Sequence, residues 1–270
     1  MVIAVDTGGT KTLVVRLGAD GSFAKSVKFP TPADIDEYFS QLVATILQVA
    51  DGEPVDTLSI ALPGTVIDDV VVWCKNLGWK NVDVKPPLEA AFPGVKILIE
   101  NDATLAGLGE TRLREPMPQN SLYVTFSTGV GTGVTIGGHM APEFTTSEGG
   151  HAIIEYNGKL MSWESIASGR ALHATYGKYA RDITDEATWR DAADRMSRGL
   201  LVLIPFMQPD MVIVGGSLGT YFERYGVFLT EILRERLPSK MKFPEIVAAH
   251  NPEEAVIYGC YFNARDAGLI

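Results

Sequence analysis

Two segments of this 270-residue chain repeat one pattern: an apolar β-branched run, a turn of Thr and Gly, and a second apolar run. In the first copy, residues 2–5 lead into Asp6-Thr7-Gly8-Gly9-Thr10-Lys11 and on to 12–17. In the second, residues 122–126 lead into Ser127-Thr128-Gly129-Val130-Gly131 and on to 133–136. Such runs read as buried strands, so the pattern predicts two strand–turn–strand units and an internal duplication. A third apolar run, 95–99, ends in Glu100-Asn101-Asp102-Ala103, where a helix over 103–112 begins.

The rest of the chain fills in a mixed sheet with helices packed on it. Asp20-Gly21 turns into a third strand near 23–29, and Pro30 and Pro32 then break the chain. A helix starts after Thr31 or Pro32, with Ile35, Phe39, Leu42, Val43, Ile46 and Val49 at three- and four-residue spacing. Strands follow at 57–62 and 69–73. Residues 115–120 read as a linker. Helices are expected over 163–179, 186–206 and 221–237, a buried strand over 211–214, a short strand over 245–249 and a terminal helix over 253–267. The division expected is 1–112 plus 253–270 as a small N-terminal lobe, and 113–252 as a larger C-terminal lobe.

Glycine-rich turns after buried strands bring backbone N–H groups close to phosphate oxygens, where a Cβ would intrude. An ordinary hairpin turn asks for the same residues, so each turn alone is a weak motif. Two of them, joined by a carboxylate at a strand–helix junction, point to phosphoryl transfer to a hydroxyl. Asp102 is the expected general base, taking the proton of the attacking hydroxyl as the new P–O bond forms; helix capping is its bland alternative. Asp6 stands where a carboxylate can hold Mg²⁺, directly or through water. Gly215-Gly216-Ser217 ends a strand at the edge where many α/β sheets take nucleotides. Trp79 and Trp163 read as packing residues rather than sugar platforms.

The net charge of −10 and pI near 4.9 set long-range repulsion against nucleic acid and anionic membranes. No partner of either kind is expected. A phosphate donor must therefore be gripped locally. Two cysteines, Cys74 and Cys260, make no disulfide framework, and the four histidines form no ligand cluster. No apolar run reaches the roughly 18–20 residues of a membrane span. The opening strand has no basic n-region before it, and a cytoplasmic location is expected.

Taken together, these residues resemble the ROK family of bacterial sugar kinases and repressors. The resemblance spans the chain. It rests on Asp6-Thr7-Gly8-Gly9-Thr10-Lys11, Pro63-Gly64, Asn76-Leu77-Gly78-Trp79, Glu100-Asn101-Asp102-Ala103, residues 127–133, Glu148-Gly149-Gly150-His151, Glu164 and Gly215-Gly216. It implies an α/β fold of the actin/hexokinase, or ribonuclease H-like, type: a duplicated core in two lobes around a cleft. It implies that Asp102 activates a sugar 6-hydroxyl, and that Gly64, Asn76, Asn101, Glu148, His151 and Glu164 line or bind the hexose. Asp6, Gly8, Gly9, Thr10, Lys11, Thr128 and Gly129 would face the donor phosphates and Mg²⁺, with Gly215 and Gly216 near the nucleoside. A homodimer is implied as well.

Two departures from the family pattern shape the expectations. Many members carry a cysteine-rich zinc loop after the Gly-His pair; residues 152–159 here contain no cysteine, so no zinc and a shorter loop held by packing are expected. That loss also resembles polyphosphate-using glucokinases, so both ATP and polyphosphate stand as donors. The DNA-binding domain of the repressor members is also expected to be missing. The expected activity is a glucokinase-like transfer to an aldohexose, glucose first, with N-acetylmannosamine, fructose or allose as alternatives. A non-catalytic sugar-binding regulator is the alternative outside the enzymes. Asp102 and both glycine turns speak against it, since sensing needs neither.

Overall fold

A computed structural model describes every residue from Met1 to Ile270. The chain divides into two compact units, Met1–Arg112 with Glu254–Ile270, and Leu113–Glu253.

The first unit runs β1 (Val2–Thr7), β2 (Lys11–Leu17), β3 (Phe23–Pro30), α1 (Ile35–Ala50), β4 (Thr57–Leu62), β5 (Thr65–Ile67), β6 (Val70–Cys74), β7 (Trp79–Asp83), α2 (Lys85–Ala91), β8 (Lys96–Asn101) and α3 (Asp102–Arg112). Its main sheet has the order β3-β2-β1-β4-β8. The first three strands pair antiparallel, and β1, β4 and β8 run parallel. Register places Lys28, Leu13, Asp6, Ala61 and Glu100 in one row across the five strands. Residues in one row share a face, so Asp6 and Glu100 stand on the same side of the sheet.

Helix α1 begins later than the prolines suggested. Asp34 is its cap, with Oδ1 accepting from Glu37 N at 2.9 Å. Thr31 is instead drawn to the first turn, its N–H donating to Thr10 O at 3.1 Å. The helix buries Leu42, Ile46 and Val49 against Ile3, Val5, Leu58 and Ile60 of the sheet. The C-terminal helix Ala255–Asp266 packs on α3 through glycines: a Cβ on Gly259 would stand 1.9 Å from Leu105 O, and one on Gly109 2.3 Å from Ala255 O. Cys260 of that helix is buried near β1, and burial pushes its thiol up to about 12.

A separate antiparallel sheet, β5-β6-β7, was legible only in part, as the strand near 69–73. Strand β5 has three residues, and β7 exposes Lys80 and Asn81 in succession, so neither shows an alternating pattern. Trp79 anchors this sheet. It is buried, stands edge-on to Tyr38 at 4.9 Å and donates Nε1–H to Ala33 O at 3.4 Å.

The second unit runs β9 (Asn120–Phe126), β10 (Val130–Ile136), β11 (His139–Met140), β12 (Ile153–Tyr156), β13 (Lys159–Ser162), α4 (Glu164–Ala167), α5 (Gly169–Tyr176), α6 (Glu186–Met207), β14 (Met211–Gly215), α7 (Gly216–Gly219), α8 (Phe222–Arg236) and β15 (Glu245–Ala248). Its sheet has the order β11-β10-β9-β14-β15. Three strands are antiparallel and three parallel, sharing β9, in the same arrangement as the first unit. The duplication is therefore strand for strand. The sequence shows it only at the two hairpins, because eight-residue β3 corresponds to two-residue β11.

Two local expectations are corrected here. The helix expected over 163–179 is broken at Ser168, which is extended (φ −69°, ψ 157°) and caps α5, its Oγ accepting from Ala171 N at 3.2 Å. The loop expected after His151 is a hairpin, β12 paired with β13. Asn157 (φ 53°) and Gly158 (φ 76°) form its two-residue turn, where both centres need positive φ and Asn-Gly supplies it.

Candidate functional site

In the first unit the predicted residues gather at the ends of β1, β4 and β8. The β1–β2 turn is tied at its base: Gly8 N donates to Lys11 O at 2.9 Å. Thr31 Oγ1 donates to Gly8 O at 2.8 Å and meets Thr12 Oγ1 at 2.9 Å. Thr7 is buried and its hydroxyl meets Tyr38 Oη at 2.8 Å. Gly9, Thr10 and Lys11 at the tip are exposed. Thr31, Thr12 and Tyr38 thus hold the turn, and nothing in their spacing from it marks them in sequence.

Asp6 ends β1, partly buried, and desolvation pushes its carboxyl up to about 6 despite the opposing pull of Lys28. Glu100, in the same row, is raised too, by desolvation first and by Asp69, with the bond from Asn101 N opposing. No cluster of three or more His, Cys, Asp or Glu is built to hold a metal. A single carboxylate such as Asp6 fits Mg²⁺, which keeps several waters and takes few protein ligands beside phosphate oxygens.

At the β8–α3 junction both Asn101 and Asp102 accept from first-turn amides of the helix. The capping bond belongs to Asn101, whose Oδ1 accepts from Thr104 N at 3.0 Å. The Asn101 amide also donates Nδ2–H to Gly64 O at 2.9 Å. An amide oxygen accepts twice and an NH₂ donates twice, so these two bonds use one acceptor and one donor position of Asn101. Asp102 lies in the first helical turn, its Oδ1 accepting from Ala103 N at 2.8 Å. Gly64 has φ +87°, and a Cβ there would stand 2.3 Å from Trp73 O, so its place is open to glycine alone. Asn76 is exposed in the β6–β7 turn, and its Cβ would lie 3.2 Å from a Cβ on Gly9. The first unit therefore brings Asn76 to the β1–β2 turn, and Gly64, Asn101 and Asp102 to one junction.

In the second unit the Ser127–Gly129 turn is braced from three sides. Gly169 N donates to Ser127 O at 2.7 Å, and Ser217 N donates to Ser127 Oγ at 3.0 Å. Glu164 Oε2 accepts from Val130 N at 3.1 Å. Gly215 and Gly216 lie against β9: a Cβ on Gly215 would stand 2.2 Å from Tyr123 Oη, and one on Gly216 (φ +76°) 2.4 Å from Thr125 Oγ1. Packing alone thus requires both glycines. The Glu148–His151 segment lies on β10, with Gly149 N donating to Thr132 Oγ1 at 3.2 Å. A Cβ on Gly150 would stand 2.0 Å from Val130 O. Glu148 and Glu164 are half-buried, and His151 and Thr128 exposed. Trp163 fixes the start of α4: fully buried, edge-on to Phe126 at 5.5 Å, with Nε1–H donating to Arg195 O at 3.2 Å. Ser127 and Thr132 thus brace this part of the unit, a role that no sequence pattern assigns to them.

The ROK family model matches residues 2–266. The chain belongs to the ROK family. A glucokinase of Thermotoga maritima is 28% identical, over 96% of this chain and 95% of the relative. A kanosamine kinase of Amycolatopsis mediterranei is 27% identical, over 80% of each chain. Among solved structures, a ROK glucokinase from Streptomyces griseus in complex with glucose and AMPPNP superposes with a TM-score of 0.84. Its identity is 24%, over 98% of this chain and 99% of that one. The actin/hexokinase-like fold implied by the sequence is borne out, and at the level of class this ROK protein is a sugar kinase. None of its helices is long and apolar enough to cross a membrane.

Proposed function

We propose that this ROK protein transfers the terminal phosphate of ATP to the 6-hydroxyl of an aldohexose, glucose being the acceptor tested first. The observation that carries the proposal is the division of labour at the β8–α3 junction. Asn101 takes the capping bond from Thr104 N, so the start of the helix does not rest on Asp102 alone, whose Oδ1 accepts from the adjoining Ala103 N. A negative side chain in the first turn is also favoured by the helix dipole. Asp102 then accepts the hydroxyl proton as oxygen attacks phosphorus, and a positioned base of this kind contributes about 10²–10⁴ in rate.

Much of the rest is positioning and charge neutralisation. The amides and hydroxyls of Gly8, Gly9, Thr10, Thr128 and Gly129, with the Lys11 ammonium, would face the donor phosphates. Gly215 and Gly216 would border the nucleoside. Asp6 would hold Mg²⁺ through water, and the bound ion would offset charge on the phosphate oxygens. Asn76, Asn101, Glu148, His151 and Glu164 would read the sugar hydroxyls. The relatives support a phosphate donor and a sugar acceptor; the S. griseus neighbour carries glucose and AMPPNP together.

The test is a coupled assay of sugar-6-phosphate formation over a panel of hexoses, with ATP and polyphosphate as separate donors. Glucose with ATP is expected to be turned over, and Asp102→Asn to lose at least about 10² in kcat while binding glucose with similar affinity. Wild-type turnover retained by Asp102→Asn would remove the base from the mechanism. Turnover of another hexose in place of glucose would change the acceptor and leave the base standing.

A further inference from the structure

Glu164 has two neighbours that the sugar reading does not need. Its Oε2 accepts the N–H of Val130 at 3.1 Å, and that oxygen would stand 2.4 Å from a Cβ on Gly129. The carboxylate therefore lies on the phosphate turn itself and occupies an amide of that turn. Val130 is also the point where the other acceptor segment rests. A Cβ on Gly150 would stand 2.0 Å from Val130 O, and Gly149 N donates to Thr132 Oγ1 two residues on. One short stretch of β10 thus carries the acceptor residues Glu148, His151 and Glu164 directly after the donor residues Thr128 and Gly129.

We propose that Glu164 couples the two substrates, holding the donor turn in a less receptive state until a sugar binds. The inference rests on the sugar-kinase reading above. Without sugar, a full negative charge sits on the Val130 amide beside the place where donor phosphates would face the turn. Like charges a few ångströms apart repel, the more so where water is displaced. A carboxylate that accepts one N–H keeps lone pairs for further donors. A sugar hydroxyl donating to the same carboxylate disperses that charge and anchors the side chain, so the donor meets a less repulsive turn. Trp163, the residue before Glu164, is buried and bonded to Arg195 O, which fixes the backbone from which the carboxylate projects. Binding of the two substrates is then positively coupled, and by linkage each tightens the other by the same factor.

The experiment is calorimetric titration of Mg·AMPPNP into wild type and Glu164→Gln, with and without saturating glucose. It is paired with the reciprocal titration of glucose with and without Mg·AMPPNP. Wild type is expected to bind AMPPNP about tenfold tighter with glucose, within the range usual for coupled sites. Glu164→Gln keeps the shape and an oxygen for the Val130 amide but removes the charge. It is expected to bind AMPPNP severalfold tighter than wild type without glucose, and to show coupling of about twofold or less. A side chain serving only as a structural brace, or only as a sugar ligand, would not raise sugar-free donor affinity. Both ligands binding to wild type without mutual effect would overturn the coupling and leave the kinase reading intact, as would full coupling in Glu164→Gln. Failure of wild type to bind either ligand would overturn both.

Discussion

Replacing Gly259 with Ala tests whether the seam between the C-terminal helix and α3 sets the position of Asp102, the proposed base. An added Cβ would stand 1.9 Å from Leu105 O, 2.4 Å from Leu105 C and 2.9 Å from Leu105 Cα. All three are backbone atoms of α3, so no side chain can turn aside. Reaching a contact of about 3.4 Å requires the helices to part by roughly 1.5 Å. Overpacking of this kind costs about 1–3 kcal/mol, offset by about 1 kcal/mol because Ala is the better helix former. A net loss of up to about 2 kcal/mol remains, lowering Tm by roughly 2–8 °C for a chain of this size. Leu105 lies one turn after Asp102, so the shift reaches the β8–α3 junction; if Asp102 is the base as proposed, about 1 Å of misplacement there can cost 10² in rate. Circular-dichroism melting and kcat at 25 °C check the two effects separately. A variant with unchanged or raised Tm and kcat within twofold of wild type would refute the tight seam as the support of Asp102.

Two further predictions concern the first unit. Asp6 ionises with difficulty when folded, its carboxyl raised from 3.8 to about 6 chiefly by burial. The native state therefore holds a proton that the unfolded chain releases between about pH 4 and 6, and this group's contribution to stability falls as pH rises through that window. Asp6→Asn is expected to be more stable than wild type at pH 7, by up to roughly 3 kcal/mol, with the difference vanishing near pH 4; urea melts at both pH values check the sign. Asn101→Ala is expected to lose about 1–2 kcal/mol with the capping bond, whereas Asn101→Asp, which keeps the capping oxygen, retains most of it. Equal losses in the two variants, read by urea melts, would shift the weight to the bond with Gly64.

The legible parts of this protein were those where neighbouring residues along the chain act together. The two strand–turn–strand units, the strand–helix junction at Asn101-Asp102 and the stripe of Leu42, Ile46 and Val49 are local patterns, and a local pattern survives without tertiary context. The bracing of the turns was hidden. The Thr31 hydroxyl reaches Gly8 O from 23 residues away, and the Ser217 N–H reaches the Ser127 hydroxyl from 90 residues away, and no spacing rule connects groups at such distance. Elements that lack periodicity, such as β5 and β7, were hidden for a different reason: their side chains are placed by packing around Trp79 rather than by alternation.

By itself the sequence determined the family, the turn chemistry and the residue types at the reacting end, because those depend on which backbone conformations and functional groups the chain can offer. Tertiary structure decided which of those residues meet and what each is bonded to. It gave the helix cap to Asn101 and so separated it from Asp102. It set Asp6 and Glu100 in one row, where desolvation raises both carboxyls. It laid the Glu164 carboxylate on the Val130 amide, an encounter of residues 34 apart in sequence. Each of these depends on which strands pair and in which register, and register is fixed by burial of whole faces rather than by any one stretch of chain.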